Sequence, residues 1–293
     1  MRSASRALWA ALVGALSALL LAGAAAAEPP VWVVRDKDSE VVLFGSVHVL
    51  PPGLVWEPAA LKQAIARADD IWFELPVDPE TQVETARLAS QLGVLPPDKS
   101  LFKLLPAADA ARLARVAQAY EMAPSLLDRL QPWLAEVALA GAAYRRAGAA
   151  TGSGVEQILS AEAPPSARRR AFETPTEQLQ MFADTPLPEQ LASLSETLKE
   201  MEEKPDEYAV LVRAWTRSDI PALEREAITP LKKASPALFR RMVTDRNDRW
   251  LSVLQARLKG HGRTVVVVGV GHLIGPEGLP ARLRALGYSV QGP

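Results

Sequence analysis

His48 and His272 each stand three residues after a glycine, in Gly45-Ser46-Val47-His48 and Gly269-Val270-Gly271-His272, and they are two of only three histidines in the chain. Glu74 closes the apolar run Ile71-Trp72-Phe73, where a carboxylate needs a cation, a donor or a proton to offset its burial. Two imidazoles and a carboxylate suit a divalent ion such as Zn²⁺, Mn²⁺ or Co²⁺. Such an ion would acidify a bound water and polarise a peptide, ester or amide carbonyl. Glu173 or Glu156 could then take the proton, and Arg246 or Asn247 could stabilise the oxyanion. Two other chemistries use the same residues. His48 and Glu74 could act without metal as the acid/base pair of an esterase-like hydrolase, or a histidine could hold haem or another small molecule in a non-catalytic binder. The chain has no H-E-x-x-H, G-x-S-x-G or C-x-x-C-H, which sets aside zincins, serine hydrolases of the α/β type and c-type haem attachment.

The elements around these residues explain how they could meet. Residues 41–44 and 265–268 are uninterrupted apolar runs, the pattern of strands covered on both faces, and each ends in the glycine that opens a G-x-x-H. Glycine there allows a sharp turn or φ > 0. Each histidine is followed by a Pro/Gly-rich stretch leading to a helix and then to a further strand, residues 71–75 and 288–290. The chain thus begins and ends with the same β, G-x-x-H, α, β unit. Open α/β sheets bind ligands outside the carboxyl ends of their strands, so the two histidines share a crevice if the units are neighbours. Residues 31–35 form a hairpin with residues 40–44 across Asp36-Lys37-Asp38-Ser39. Residues 79–258 are helical in character, with Thr174-Pro175-Thr176-Glu177 at capping-box spacing. The expected fold is α/β with α+β character: a small mixed sheet from the two ends of the chain and a large helical insertion, all in one domain over residues 28–293.

Arg2 and Arg6 precede an apolar run from residue 8 to residue 27 that closes in Ala25-Ala26-Ala27. This predicts a signal peptide over residues 1–27, cleaved after Ala27, and a periplasmic or secreted protein without a membrane span; an uncleaved anchor is the rival reading. Cysteine is absent, which excludes disulfides and thiolate chemistry. Without residues 1–27 the chain loses two arginines and no acid, leaving 31 basic against 34 acidic residues, a balance that argues against a nucleic-acid partner and leaves a peptide or small molecule as the expected substrate. His261, in Lys259-Gly260-His261-Gly262, reads as a surface-loop residue, and Arg168-Arg169-Arg170 is too short to imply a polyanion.

Gly45-Ser46-Val47-His48-Val49-Leu50-Pro51, Phe73-Glu74-Leu75, Gln131-Pro132-Trp133, Gly154-Val155-Glu156, Phe172-Glu173-Thr174 with Glu177-Gln178-Leu179, Arg246-Asn247, and Gly269-Val270-Gly271-His272-Leu273 follow one another through the chain. In this set and order the sequence resembles the TraB/GumN proteins, relatives of the Tiki proteases. The resemblance implies a mixed α/β fold whose two G-x-x-H histidines and strand glutamate line one pocket, and a metal-dependent protease-like activity. It ranks His48, Glu74 and His272 first as site residues, followed by Glu156, Glu173, Arg246 and Asn247. Aspartate is common in the family where this chain has Glu156.

Overall fold

The computed structural model describes residues 28–149 and 154–293. The expected leader, residues 1–27, lies outside the described residues. No helix among the described residues is long and apolar enough to cross a membrane.

Six strands make one mixed sheet in the order β4-β3-β5-β2-β1-β6. They are β1 (Val31–Arg35), β2 (Ser39–Ser46), β3 (Asp70–Phe73), β4 (Arg168–Ala171), β5 (Gly262–Gly269) and β6 (Ser289–Gln291). The two G-x-x-H strands are neighbours. β2 and β5 pair in parallel, with Gly45 opposite Val268 and Ser46 opposite Gly269. On the other side β5 pairs in parallel with β3, and β3 with β4. Their side chains are buried on both faces, as the apolar runs require: Val41, Leu43, Phe44 and residues 265–268 are all inside. Each such burial contributes about 1.5–3 kcal/mol before entropy is counted.

Sequence and structure differ at the last strand. The carboxyl-terminal unit does not close like the first: β6 lies antiparallel to β1 at the far edge of the sheet, whereas β3 sits inside it. In the first unit the trailing strand β3 lies two places from β2, across β5, and the matching place two beyond β5 is held by β4, not β6. The duplication therefore extends through strand, turn and helix, and stops there.

The insertion is helical as expected except for β4 (Arg168–Ala171), which it adds to the edge of a sheet expected from the two ends of the chain alone. It attaches to the sheet through an aromatic cluster in which Trp215, on the helix Glu207–Thr216, meets Phe44 and Trp56 at ring separations of 6.0 and 5.8 Å. Trp215 Nε1 donates to the Gly45 carbonyl at 2.6 Å, so the insertion grips the first G-x-x-H turn directly. A second apolar cluster, including Leu101, Leu113, Leu139, Leu194 and Leu198, lies within the insertion itself. Thr174 and Glu177 form the reciprocal capping box that starts the helix Pro175–Ala183. Arg168 and Arg170 of β4, together with Arg257, surround the buried Asp70 carboxylate at 2.8 to 3.0 Å, which accounts for the arginine run without any external anion.

Candidate active site

Four parallel strands deliver one residue each just beyond their carboxyl ends: Glu173 after β4, Glu74 after β3, His272 after β5 and His48 after β2. Glu74 lies one residue outside its strand, not within it. The point of convergence is Gly269. A Cβ built there would stand 3.2 Å from Glu74 Oε1 and 3.9 Å from both His272 Cδ2 and His48 Cε1. Neither motif glycine has a positive φ among the described residues. At Gly45 a Cβ would come within 2.9 Å of the Val270 backbone. Space, not unusual backbone conformation, calls for glycine at Gly45, and at Gly269 an added Cβ would press only on the end of Glu74.

The helix Asp245–Leu258 supplies Arg246 and Asn247 from its first turn, directly after a π-helical turn over Arg240–Thr244. Such turns redirect side chains by about one residue and recur at functional sites. Arg246 is the hub. Its Nη2 reaches Glu74 Oε2 at 2.5 Å and Glu173 Oε2 at 2.9 Å, its Nε reaches Glu173 Oε1 at 2.9 Å, and its Nη1 faces His272 Nε2 at 3.0 Å. Trp250 lies under the guanidinium at 4.6 Å and donates its indole N–H to Glu173 at 3.1 Å. Glu74 Oε1 accepts the Gly269 N–H at 2.7 Å. Burial alone would raise the Glu74 pKa, but Arg246, the two histidines and the Gly269 amide outweigh it and hold the carboxyl well below the ordinary range.

The two histidines occupy opposite environments. His272 turns inward through the 3₁₀ turn Val270–His272, packs on Trp250 at 4.4 Å between ring centres, and has a side chain only 7 % exposed. Asn247 uses its amide N–H groups on the carbonyls of His272 and Glu277, so its Oδ1 accepts from His272 Nδ1 at 2.8 Å. Burial, assisted by Arg246, pushes the His272 pKa down to about 3. His48 points outward, with its side chain 61 % exposed, and its Nδ1 lies 3.2 Å from Glu156 Oε1. That hydrogen bond, with the charges of Glu156 and Glu74, raises the His48 pKa to about 9 despite opposing desolvation. Ser46 donates to the same Glu156 oxygen at 2.7 Å.

A cavity of about 640 Å³ opens beside these groups, and His48, Glu74 and Glu156 line it, with Tyr144, Arg145 and Gln178 on the insertion side. Glu173, Arg246, Asn247 and His272 stand behind that wall. Seven residues singled out in the sequence therefore form one connected cluster, of which three reach the cavity. Ser46 and Gln178 belong to the cluster without having been singled out, Gln178 through a 3.4 Å contact with Glu74. Both lie inside motifs already noted, and that neighbourhood was their only signal. His261 is exposed in its loop.

The donors expected to hold an ion do not fit one in this arrangement. Glu74 Oε2 and His272 Nε2 both face the Arg246 guanidinium, so a positive charge already stands between them. No group of three or more His, Asp or Glu side chains among the described residues is arranged to hold an ion.

No curated protein and no solved structure matches the chain. The family model described as the TraB/PrgY/gumN family matches residues 30–292, nearly the whole length, and the chain therefore belongs to that family.

Proposed function

We propose that the protein is a hydrolase of peptide or other small carbonyl substrates in which His48 is the residue that exchanges protons with the substrate. The observation that carries this reading is the His48–Glu156 pair on the cavity wall beside Glu74. Glu156 holds Nδ1, leaving Nε2 to meet a bound substrate. This is the relation of a general acid/base to the group that orients it. In the neutral form His48 takes a proton from a water attacking the carbonyl carbon, and as imidazolium it returns that proton to the leaving group. Glu156 stabilises the imidazolium between the two transfers. Glu74 Oε1, which among the described residues accepts only the Gly269 N–H, keeps a lone pair to orient the water or a substrate N–H. Arg145, which also lines the cavity and has no ion pair among the described residues, is suited to a substrate carboxylate or an oxyanion. Arg246 and Glu173 fix Glu74 from behind. The apolar run over residues 8–27 supports action outside the cytoplasm.

The test is cleavage of a mixed peptide and ester library by the protein, with and without chelator, beside His48→Ala and Glu156→Gln. The expected result is cleavage that survives chelation and falls by at least about 100-fold in His48→Ala. Cleavage abolished by chelation would restore the metal-dependent reading expected from the sequence, with Zn²⁺, Mn²⁺ or Co²⁺ displacing Arg246. Full activity in His48→Ala would end the proposed mechanism.

A further inference from the structure

The helical insertion holds a second cavity between the helices Pro132–Arg146 and Leu187–Glu203. One lobe, of about 290 Å³, is mainly apolar, with Trp133, Val137, Phe182, Leu238 and Met242 in its wall. The other, of about 510 Å³, is lined by Tyr120, Tyr144, Glu200 and Glu207, with Arg146 and Lys204 at its side. Glu136, Ala140, Ser193, Thr197 and Leu231 belong to both, so Glu136 sits at the junction.

Two polar groups, Glu136 at this junction and Trp133 in the smaller lobe, lack a counterpart. The hydroxyls of Ser193 and Thr197 both donate to Glu136 Oε1, at 3.0 and 2.6 Å, and no donor among the described residues reaches Oε2. Burial pushes the Glu136 carboxyl up to about 7, and no cation offsets it. Trp133 is 3 % exposed, and its Nε1–H has no acceptor among the described residues. A buried donor without an acceptor is costly to fold, and a half-buried carboxylate without a cation is open to one. They are three residues apart on one helix, which places them on one face with roughly 5–6 Å between their Cβ atoms.

A ligand that satisfies both must present an ammonium to Glu136, a carbonyl oxygen to Trp133 Nε1 a few ångströms away, and an apolar body to the smaller lobe. An α-amino group and the carbonyl of its own residue are a few ångströms apart, the scale that side chains at i and i+3 can bracket. The geometry points to a binding site for the free amino terminus of an apolar peptide, separate from the cavity at His48. Its ammonium pairs with Glu136, its first carbonyl accepts from Trp133, and its first side chain lies against Phe182, Leu238 and Met242.

The experiment is calorimetric titration of the full chain with leucyl-phenylalaninamide and with its N-acetyl derivative, repeated on Glu136→Gln, Trp133→Phe and His48→Ala. Glutamine keeps the acceptor for Ser193 and Thr197, and phenylalanine keeps a ring against Phe182, so both variants are expected to fold, which circular dichroism and urea unfolding check. The free amine binds, and acetylation or Glu136→Gln weakens binding by roughly tenfold or more, as loss of a charge-assisted hydrogen bond requires. Trp133→Phe weakens it less, and His48→Ala leaves it unchanged. Absence of binding at millimolar free amine, equal binding of the acetylated peptide, or binding that survives Glu136→Gln and is lost in His48→Ala would each overturn the proposal.

Discussion

Arg246 Nη1 stands 3.0 Å from His272 Nε2, and this contact sets the protonation state of the buried histidine. A guanidinium only donates, so Nε2 must be the acceptor and the proton must reside on Nδ1, where Asn247 Oδ1 receives it. One arginine therefore fixes a tautomer, pairs with two carboxylates and stands where an ion would need to sit.

Removing that charge has a defined consequence. Arg246→Ala leaves Glu74 and Glu173 buried without their main cation and is expected to destabilise the protein by roughly 3–5 kcal/mol, the scale of a broken buried pair. Urea unfolding of the variant measures it. A loss below about 1 kcal/mol would mean that the pairs behave like exposed ones.

The two histidines predict opposite pH effects. The unfolded chain protonates His272 near pH 6.5, while the folded state resists until about 3. Folded stability should therefore fall as pH drops through that window, by roughly 1.4 kcal/mol per unit. Glu74, with its depressed pKa, adds to the loss in the carboxylate range as the unfolded chain takes up its proton. His48, raised to about 9, contributes stability below pH 6.5 that is lost as pH rises through its folded value. Unfolding curves from pH 4 to 10 on the wild type, His272→Asn and His48→Ala separate the effects. A wild-type slope unchanged in His272→Asn would show that the buried histidine is not responsible.

Asn247 tests the tautomer. Asn247→Ala strips partners from one N–H and two carbonyls inside the protein, at about 1–3 kcal/mol for each group left unsatisfied. Asn247→Asp places an anion beside Nδ1 and should raise the His272 pKa. Nitrogen-15 imidazole spectra report both the wild-type tautomer and the shift; a wild-type resonance protonated at Nε2 would contradict the assignment.

The motif glycines should respond differently to a methyl group. Gly45→Ala forces a Cβ against the Val270 backbone and should cost roughly 1–3 kcal/mol through overpacking. Gly269→Ala meets chiefly the end of Glu74 and narrows the place where three side chains converge, so hydrolysis should suffer more than stability. Thermal unfolding and library cleavage, compared across both variants, decide this. Equal stability losses would remove the distinction.

Much of the site was legible in the chain. Apolar runs of four residues identified β2 and β5, each glycine placed a histidine just past a strand, and the unpaired carboxylate of Glu74 marked the tip of β3. Glu156, Glu173, Arg246 and Asn247 were found by their motifs, and the fold divides them: Glu156 lines the cavity and the other three stand behind its wall. Asn247 has both amide hydrogens committed to backbone carbonyls, and Glu173 lies with its side chain 3 % exposed behind Arg246, so neither faces the cavity.

The sequence by itself determined which segments are strands and helices, the family, and the residue types gathered at the strand tips, because periodicity and turn residues act over a few positions. Tertiary structure alone decided that β5 enters between β3 and β2, that β6 runs to the opposite edge, and that one histidine is tucked under Trp250 while its counterpart faces the cavity. Those outcomes depend on which distant surfaces pack together. So does the position of Arg246: a guanidinium on a helix looks the same in sequence whether it meets water or, as here, two carboxylates and an imidazole carried by three different strands.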